Sequence, residues 1–235
     1  MSRRSRWLVL ALVGIGLLTT EARAEEDWTA DWLFKAAPEG AIAVQAKQRI
    51  WRDPKRNLVI FDGEVCLREG QLEMFACPRG TKEYESVVVV DVLPGIVHGE
   101  LVKAGAKPGS PVGFDPYKAA SGTPIKVMVL WVDQDGKHRA VPAQQWIKNN
   151  ATGKAMQRSW VFAGSHFIRD ESTGRRAYEA DGGDFICVAN FSSAALDLPV
   201  KSPQENAQLL YEAFTEKIPP KKTKVRLVLI PEVKP

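Results

Sequence analysis

Residues 58–109 read LVIFDGEVCLREGQLEMFACPRGTKEYESVVVVDVLPGIVHGELVKAGAKPG, and the fold expected for the whole chain follows from them. Leu58 to Phe61 is apolar, Asp62-Gly63 is a strong two-residue hairpin signal, and Glu64 to Leu67 returns. Arg68-Glu69-Gly70 turns into a further strand from Gln71 to Ala76, so the segment predicts an antiparallel meander. Val87 to Val92 is rich in β-branched residues, the kind of run buried on both faces of a sheet. A helix follows. Pro94 suits its first turn, where a missing N–H removes no bond. Leu93, Val97, Leu101 and Ala104 share one face, Gly105 supplies the C-cap, and Pro108 stops continuation.

Upstream, Ala41 to Trp51 reads as an extended segment and residues 53–57 as a turn. Downstream, Gly109 to Gly122 is a Pro- and Gly-marked loop. Ile125 to Val132 is a long strand with Val127, Val129 and Trp131 facing inward, and Asp135-Gly136 turns it into Arg139–Val141. Ser159 to Ala163 is a strand broken by Gly164-Ser165. Phe167–Arg169 and Ala177–Glu179 flank a turn at Ser172-Thr173-Gly174. Phe185 to Phe191 is another buried strand, carrying Cys187. Ser202-Pro203-Gln204-Glu205 is a capping box, and Ala207, Leu210, Tyr211 and Phe214 make the face of a second helix. Val225 to Ile230 closes the sheet. The expectation is α+β: a mostly antiparallel sheet with about two packed helices, in a single domain.

The first 24 residues read as a cleaved targeting segment. Arg3, Arg4 and Arg6 form its basic start, Trp7 to Thr20 is uncharged and mostly apolar, and Ala22-Arg23-Ala24 fits a cleavage site. Fourteen helical residues rise only about 21 Å against a bilayer core of about 30 Å, so no stable span is expected after cleavage. Ser2-Arg3-Arg4 also fits the opening of a twin-arginine signal, although Arg6 stands where an apolar residue is expected. The expected organisation is a signal at 1–24, an N-terminal arm at 25–45 anchored by Trp28 and Trp32, and the domain at 46–235. Removing the signal removes most of the positive charge. The whole chain carries +4, the signal +3, and the mature chain therefore about +1, which argues against a nucleic-acid surface.

The residues capable of chemistry form no complete constellation. The three cysteines include no C-x-x-C pair, so no zinc or iron–sulfur site and no cofactor is expected. In an oxidising compartment they allow one disulfide and one leftover thiol, with a slight preference for Cys77 with Cys187. Ser165 and His166 are a nucleophile beside a base, but they lack the G-x-S-x-G elbow, and neighbours on a strand point to opposite faces. The alternative is a strand break with a satisfied hydroxyl. Asp133-x-Asp135-Gly136 opens like a calcium loop, but Gln144 stands where that loop needs Glu. Asp181-Gly182-Gly183-Asp184 reads as an acidic turn. The segment from Cys77 to Ser86 packs a thiol, charges and hydroxyls between two strands, and is either a binding loop or a solvated crossover.

Gly63-Glu64-Val65, Leu72-Glu73-Met74-Phe75-Ala76-Cys77 and Lys82-Glu83-Tyr84-Glu85-Ser86 resemble the YdjY-like domain of exported bacterial proteins. So do Leu101 to Gly109, Val129-Leu130-Trp131, Trp146, Trp160 to Ser165 and Ala180 to Gly183, giving coverage from about Ala46 to about Leu198. The resemblance implies membership and export rather than a reaction. It also implies interest in the loop, where Tyr84 takes a place the family usually gives to histidine. The candidate binding residues are Cys77, Glu83, Tyr84, Glu85, Ser86 and Trp146. A non-catalytic binding or assembly module, with an unidentified protein or small molecule as partner, is the first functional reading. A small hydrolase or transferase using Glu83, Glu85, Ser165 and His166 is the second. Thiol–disulfide chemistry at Cys77 is the third; it requires an exposed thiol of low pKa.

Overall fold

Alternating and continuous apolar runs dominate the chain, and the computed structural model turns nearly all of them into strands. It describes residues 37–45, 48–169, 171, 174, 176–204 and 208–233. The proposed signal, Trp28 and Trp32 of the arm, and the Ser172-Thr173 turn lie outside these residues. In chain order the first strands are β1 (Ile42–Ala43), β2 (Ile50–Asp53), β3 (Leu58–Val65), β4 (Met74–Pro78) and β5 (Ser86–Val90). Helix α1 (Pro94–Lys103) follows, then β6 (Pro108–Ser110), β7 (Gly113–Phe114), β8 (Tyr117–Lys118) and β9 (Ser121–Gly122). Next come β10 (Pro124–Val132), β11 (His138–Pro142), β12 (Ile147–Asn149), β13 (Trp160–Phe162), β14 (Phe167–Arg169) and β15 (Arg176–Tyr178). The last are β16 (Ile186–Cys187), β17 (Leu196–Asp197), β18 (Tyr211–Ala213) and β19 (Lys224–Pro231).

Eight of these close a barrel. The ring runs β3-β19-β10-β13-β17-β16-β4-β5, and β5 pairs back onto β3. Six neighbours are antiparallel; β4–β5 and β16–β17 are parallel. Eight strands leave an interior that side chains can fill. Here Phe61 meets Phe185 at 5.6 Å, Phe75 meets Trp160 at 6.0 Å, and Trp131 meets Trp146 at 5.1 Å between ring centroids. Helix α1 adds Val97 and Leu101, and its C-cap Ala104, to the same core. Its N-terminus is held by Asp181 Oδ1, which accepts from Gly95 N at 2.8 Å, where a carboxylate also suits the helix dipole. No helix among the described residues is long and apolar enough to cross a membrane.

This corrects the α+β expectation: the fold is mainly β, a closed barrel with one helix among the described residues. Two local signals misled. Asp62-Gly63 is not a turn but the middle of β3. Gly63 sits where β3 leaves β2 and takes up β5, and a Cβ there would lie 2.8 Å from Val89 O. The glycine serves close approach of two backbones rather than reversal. Consequently 58–76 is no meander, since β3 and β4 are not neighbours in the ring. The second helix is also absent from the described part of its segment. Leu209, Tyr211 and Ala213 are buried while Leu210 is exposed, a period of two, and β18 pairs β12 through Tyr211↔Asn149 and Ala213↔Ile147. Residues 205–207 of that predicted helix lie outside the described residues.

Candidate functional site

Strands β4 and β5 run parallel and adjacent, with Met74 opposite Ser86, so residues 79–85 must return the length of a strand. Parallel neighbours usually need a dozen or more connecting residues. This tight crossover is held by its own side chains. Thr81 Oγ1 donates to Pro78 O at 2.6 Å, and Ser86 Oγ donates to Lys82 O at 2.7 Å. Glu83 Oε1 accepts from Gly80 N at 2.6 Å, and Arg79 pairs with Asp91 at 2.5 Å. Ser86 is buried, whereas Tyr84 stands 72 % exposed.

Lys82 points into a carboxylate cluster. Its Nζ lies 3.0 Å from Asp184, 3.6 Å from Glu73 and 3.7 Å from Glu85, and 4.3 Å from the centre of the Phe191 ring. Gly183, at φ +140°, leaves room for it; a Cβ there would sit 2.8 Å from Lys82 Cγ. Burial opposes the Lys82 ammonium, but Asp184, Glu73 and Glu85 outweigh it and raise its pKa. Burial and the neighbouring Glu73 push Glu85 up to about 7, against the pull of Lys82.

Ser165 meets this cluster through one residue. Ser193 Oγ donates to Asp184 Oδ2, while Ser193 O accepts from Ser165 Oγ at 2.6 Å. Ser165 Oγ also accepts from Ala180 N at 3.1 Å, so its hydroxyl holds two backbone segments together. His166 is exposed, and its carbonyl accepts from Glu179 N at 3.0 Å. Glu85 therefore reaches Ser165 through Lys82, Asp184 and Ser193, with neither Glu83 nor His166 in that chain of contacts. His98 is a different case: its Nδ1 lies 2.9 Å from Tyr178 Oη, which donates to Gly164 O at 2.9 Å. Tyr178 has one proton, so His98 Nδ1 must be the donor to it.

All three cysteines are free thiols. The Cys77–Cys187 bridge is not formed; the β4–β16 register sets Cys187 against Met74 rather than Cys77. Burial raises all three thiols, Cys66 to about 12, which disfavours the thiolate that exchange chemistry needs. Trp146 is buried between Trp131 and Phe75 as a core anchor. No group of three or more His, Cys, Asp or Glu among the described residues is arranged to hold a metal.

A second region went unread in the sequence. Residues 108–122 leave the barrel as an arm, with β6 on β9 at its root and β7 on β8 at its tip. Gly122, at φ +140°, seats the root: a Cβ would lie 2.0 Å from Phe162 O. At the tip Phe114 and Tyr117 are register partners, 55 % and 44 % exposed. They border a cleft of about 370 Å³ that is also lined by Asn190, Lys201, Ser202 and Gln204. Its floor is a buried polar network. Asn190 Nδ2 donates to Asp197 Oδ1 at 2.9 Å, Ser202 N donates to Asn190 Oδ1 at 2.7 Å, and Ser202 Oγ donates to Val188 O at 2.5 Å. Asp197 Oδ1 also accepts from Leu198 N at 2.7 Å. Burial nevertheless pushes its carboxyl up to about 7.

The family model described as the YdjY domain matches residues 50–230. The chain belongs to the YdjY family. No curated protein and no solved structure matches it. The YdjY match begins at the first residue of β2 and ends within β19, so it takes in all eight barrel strands. It extends past Leu198, where the sequence resemblance stopped, to the strand that closes the ring. Both the Lys82 cluster and the aromatic cleft lie inside the YdjY domain.

Proposed function

We propose that the mature chain is an exported, non-catalytic binding module whose ligand enters the cleft beside the 113–118 hairpin. One contrast carries this reading. The hydroxyl of Ser165 and the carboxylate of Glu83 already hold backbone, and the Cys77 and Cys187 thiols are buried, whereas Phe114 and Tyr117 are exposed over a buried polar floor. Concave sites with apolar walls and a few placed polar groups are the usual form of ligand sites. The near-neutral mature charge favours a protein or small-molecule partner over nucleic acid. A small-fragment titration followed by amide NMR tests the site. Shifts clustered at Phe114, Tyr117 and Gln204 are expected; shifts clustered at Lys82 and Glu85 instead would remove the reading. Export is tested by N-terminal sequencing of the secreted product, expected to begin at Glu25; a chain retained in the cytoplasm would contradict it.

A second reading rests on Glu85, whose pKa near 7 beside Lys82 suits a general acid or base in a small hydrolase. It requires turnover that Glu85→Gln abolishes while binding persists. Turnover that survives unchanged in Glu85→Gln would exclude it.

A further inference from the structure

We infer that the cleft takes a neutral, pyranose-containing oligosaccharide, with one sugar ring lying against the Phe114–Tyr117 pair. This rests on the binding-module reading above and names its ligand class.

Residues directly opposite in an antiparallel pair project to the same face, so the Phe114↔Tyr117 register sets two aromatic side chains on one face of the hairpin. Both are largely exposed, so neither is placed there by the core. A pyranose presents a patch of axial C–H groups on its face and hydroxyls around its rim. The patch suits an aromatic surface, and hydroxyls that both donate and accept suit amides and hydroxyls. Gln204 lines the cleft with such an amide and Lys201 adds an ammonium donor, while Asn190 and Ser202 lie in the floor beneath. Gln204 is itself fixed, because its Nε2 donates to Asn190 O. Lys201 is the one charged residue among the cleft lining, which gives no reason for a highly charged ligand.

Two competing ligand classes fit less well. An extended peptide would add to a sheet edge, but β7 and β8 have two residues each. A lipid tail would need an enclosed apolar cavity, and this one is bordered by amide, hydroxyl and ammonium groups. The volume of about 370 Å³ lies at the small end of ligand sites and fits a short saccharide.

The test titrates the mature chain with chitotriose, cellotriose and trialanine, using calorimetry and amide NMR. At least one trisaccharide is expected to bind saturably, with shifts at Phe114, Tyr117 and Gln204. Phe114→Ala and Tyr117→Ala should each weaken it about tenfold, the loss of one stacking contact of about 1.4 kcal/mol. Tyr117→Phe keeps the ring and should retain most of the affinity. Both positions are exposed, and unchanged circular dichroism of each variant confirms folding. If trialanine occupies the cleft and neither sugar binds, the saccharide class is wrong while the binding module stands. If none of the three probes binds, the saccharide class is again overturned, and the fragment titration decides the module separately. If a sugar binds equally well to both alanine variants, the cleft is not the site.

Discussion

The crossover at 79–85 and the hairpin at 113–118 are both short connections on one barrel, and they use their side chains in opposite directions. The crossover turns lysine, glutamates, serine and threonine back onto itself and the barrel. The hairpin turns two aromatic rings outward and rests on a buried polar floor. The variety of functional groups is greater in the crossover, yet most of its hydrogen-bonding capacity is already used to make a seven-residue parallel connection possible. A polar loop marks a site only when its groups remain available after the backbone has been satisfied.

The largest effect expected from this contrast lies in pH. Asp197 and Glu85 each hold a proton more tightly folded than unfolded, both raised to about 7. The folded state therefore binds extra protons between the ordinary carboxyl range near pH 4 and about pH 7, and stability falls as pH rises across that window. For buried Asp197, which moves from 3.8 to about 7, the full change is on the order of 4 kcal/mol at about 1.4 kcal/mol per unit. Urea unfolding of Asp197→Asn should be correspondingly flatter between pH 4 and 8; an unaltered slope would show that the cleft floor does not strain its carboxyl.

Next in size is the crossover's anchor. Lys82→Met leaves Glu73, Glu85 and Asp184 without their shared cation, and a loss of about 3 kcal/mol is expected, as when one partner of a largely buried pair is removed. Ligand binding at the cleft should survive in the folded fraction. A loss of cleft binding at full folding would join the two regions into one site.

Gly183→Ala should cost about 1–3 kcal/mol, because it adds a Cβ against Lys82 in a backbone conformation that favours glycine. Thermal unfolding reads this directly, and an unchanged Tm would mean Lys82 can leave its cluster freely. The smallest effects separate the exposed aromatics. Tyr84→Ala and Tyr117→Ala should each stay within about 0.5 kcal/mol of the parent in stability, as surface changes usually do. Only Tyr117→Ala should lower ligand affinity.

How much of this was legible in the sequence depends on whether a signal was local. Helix α1 was readable from Pro94 to Gly105 because its start, face and stop are all encoded within a dozen residues. The β10–β11 hairpin was readable from Asp135-Gly136 for the same reason. Asp62-Gly63 carries the same dipeptide, but its meaning is set by Val89, a partner 26 positions along from Gly63 that no short window contains. Barrel closure is likewise non-local, since it depends on β5 finding β3 and on β19 lying between β3 and β10. At the site, the crossover attracted notice by composition alone. The cleft left a weaker mark: Phe114 and Tyr117 flank Asp115-Pro116 in a loop rich in turn residues, where a core has no use for two large rings. Its polar floor was out of reach, because Asn190, Asp197 and Ser202 lie more than seventy positions beyond the Phe114–Tyr117 hairpin they underlie.

The position of β19 sets when the molecule can exist. Lys224–Pro231 comes almost last in the chain but stands between two of the longest strands, pairing Phe61 with Leu227 on one side and Val127 with Leu229 on the other. Until those residues have been synthesised, β3 and β10 face water with open edges, a configuration prone to pairing with other chains. Ring closure therefore waits until the strand that follows every other barrel strand in sequence has been made. Truncation before residue 224 should leave an aggregating product rather than a smaller barrel.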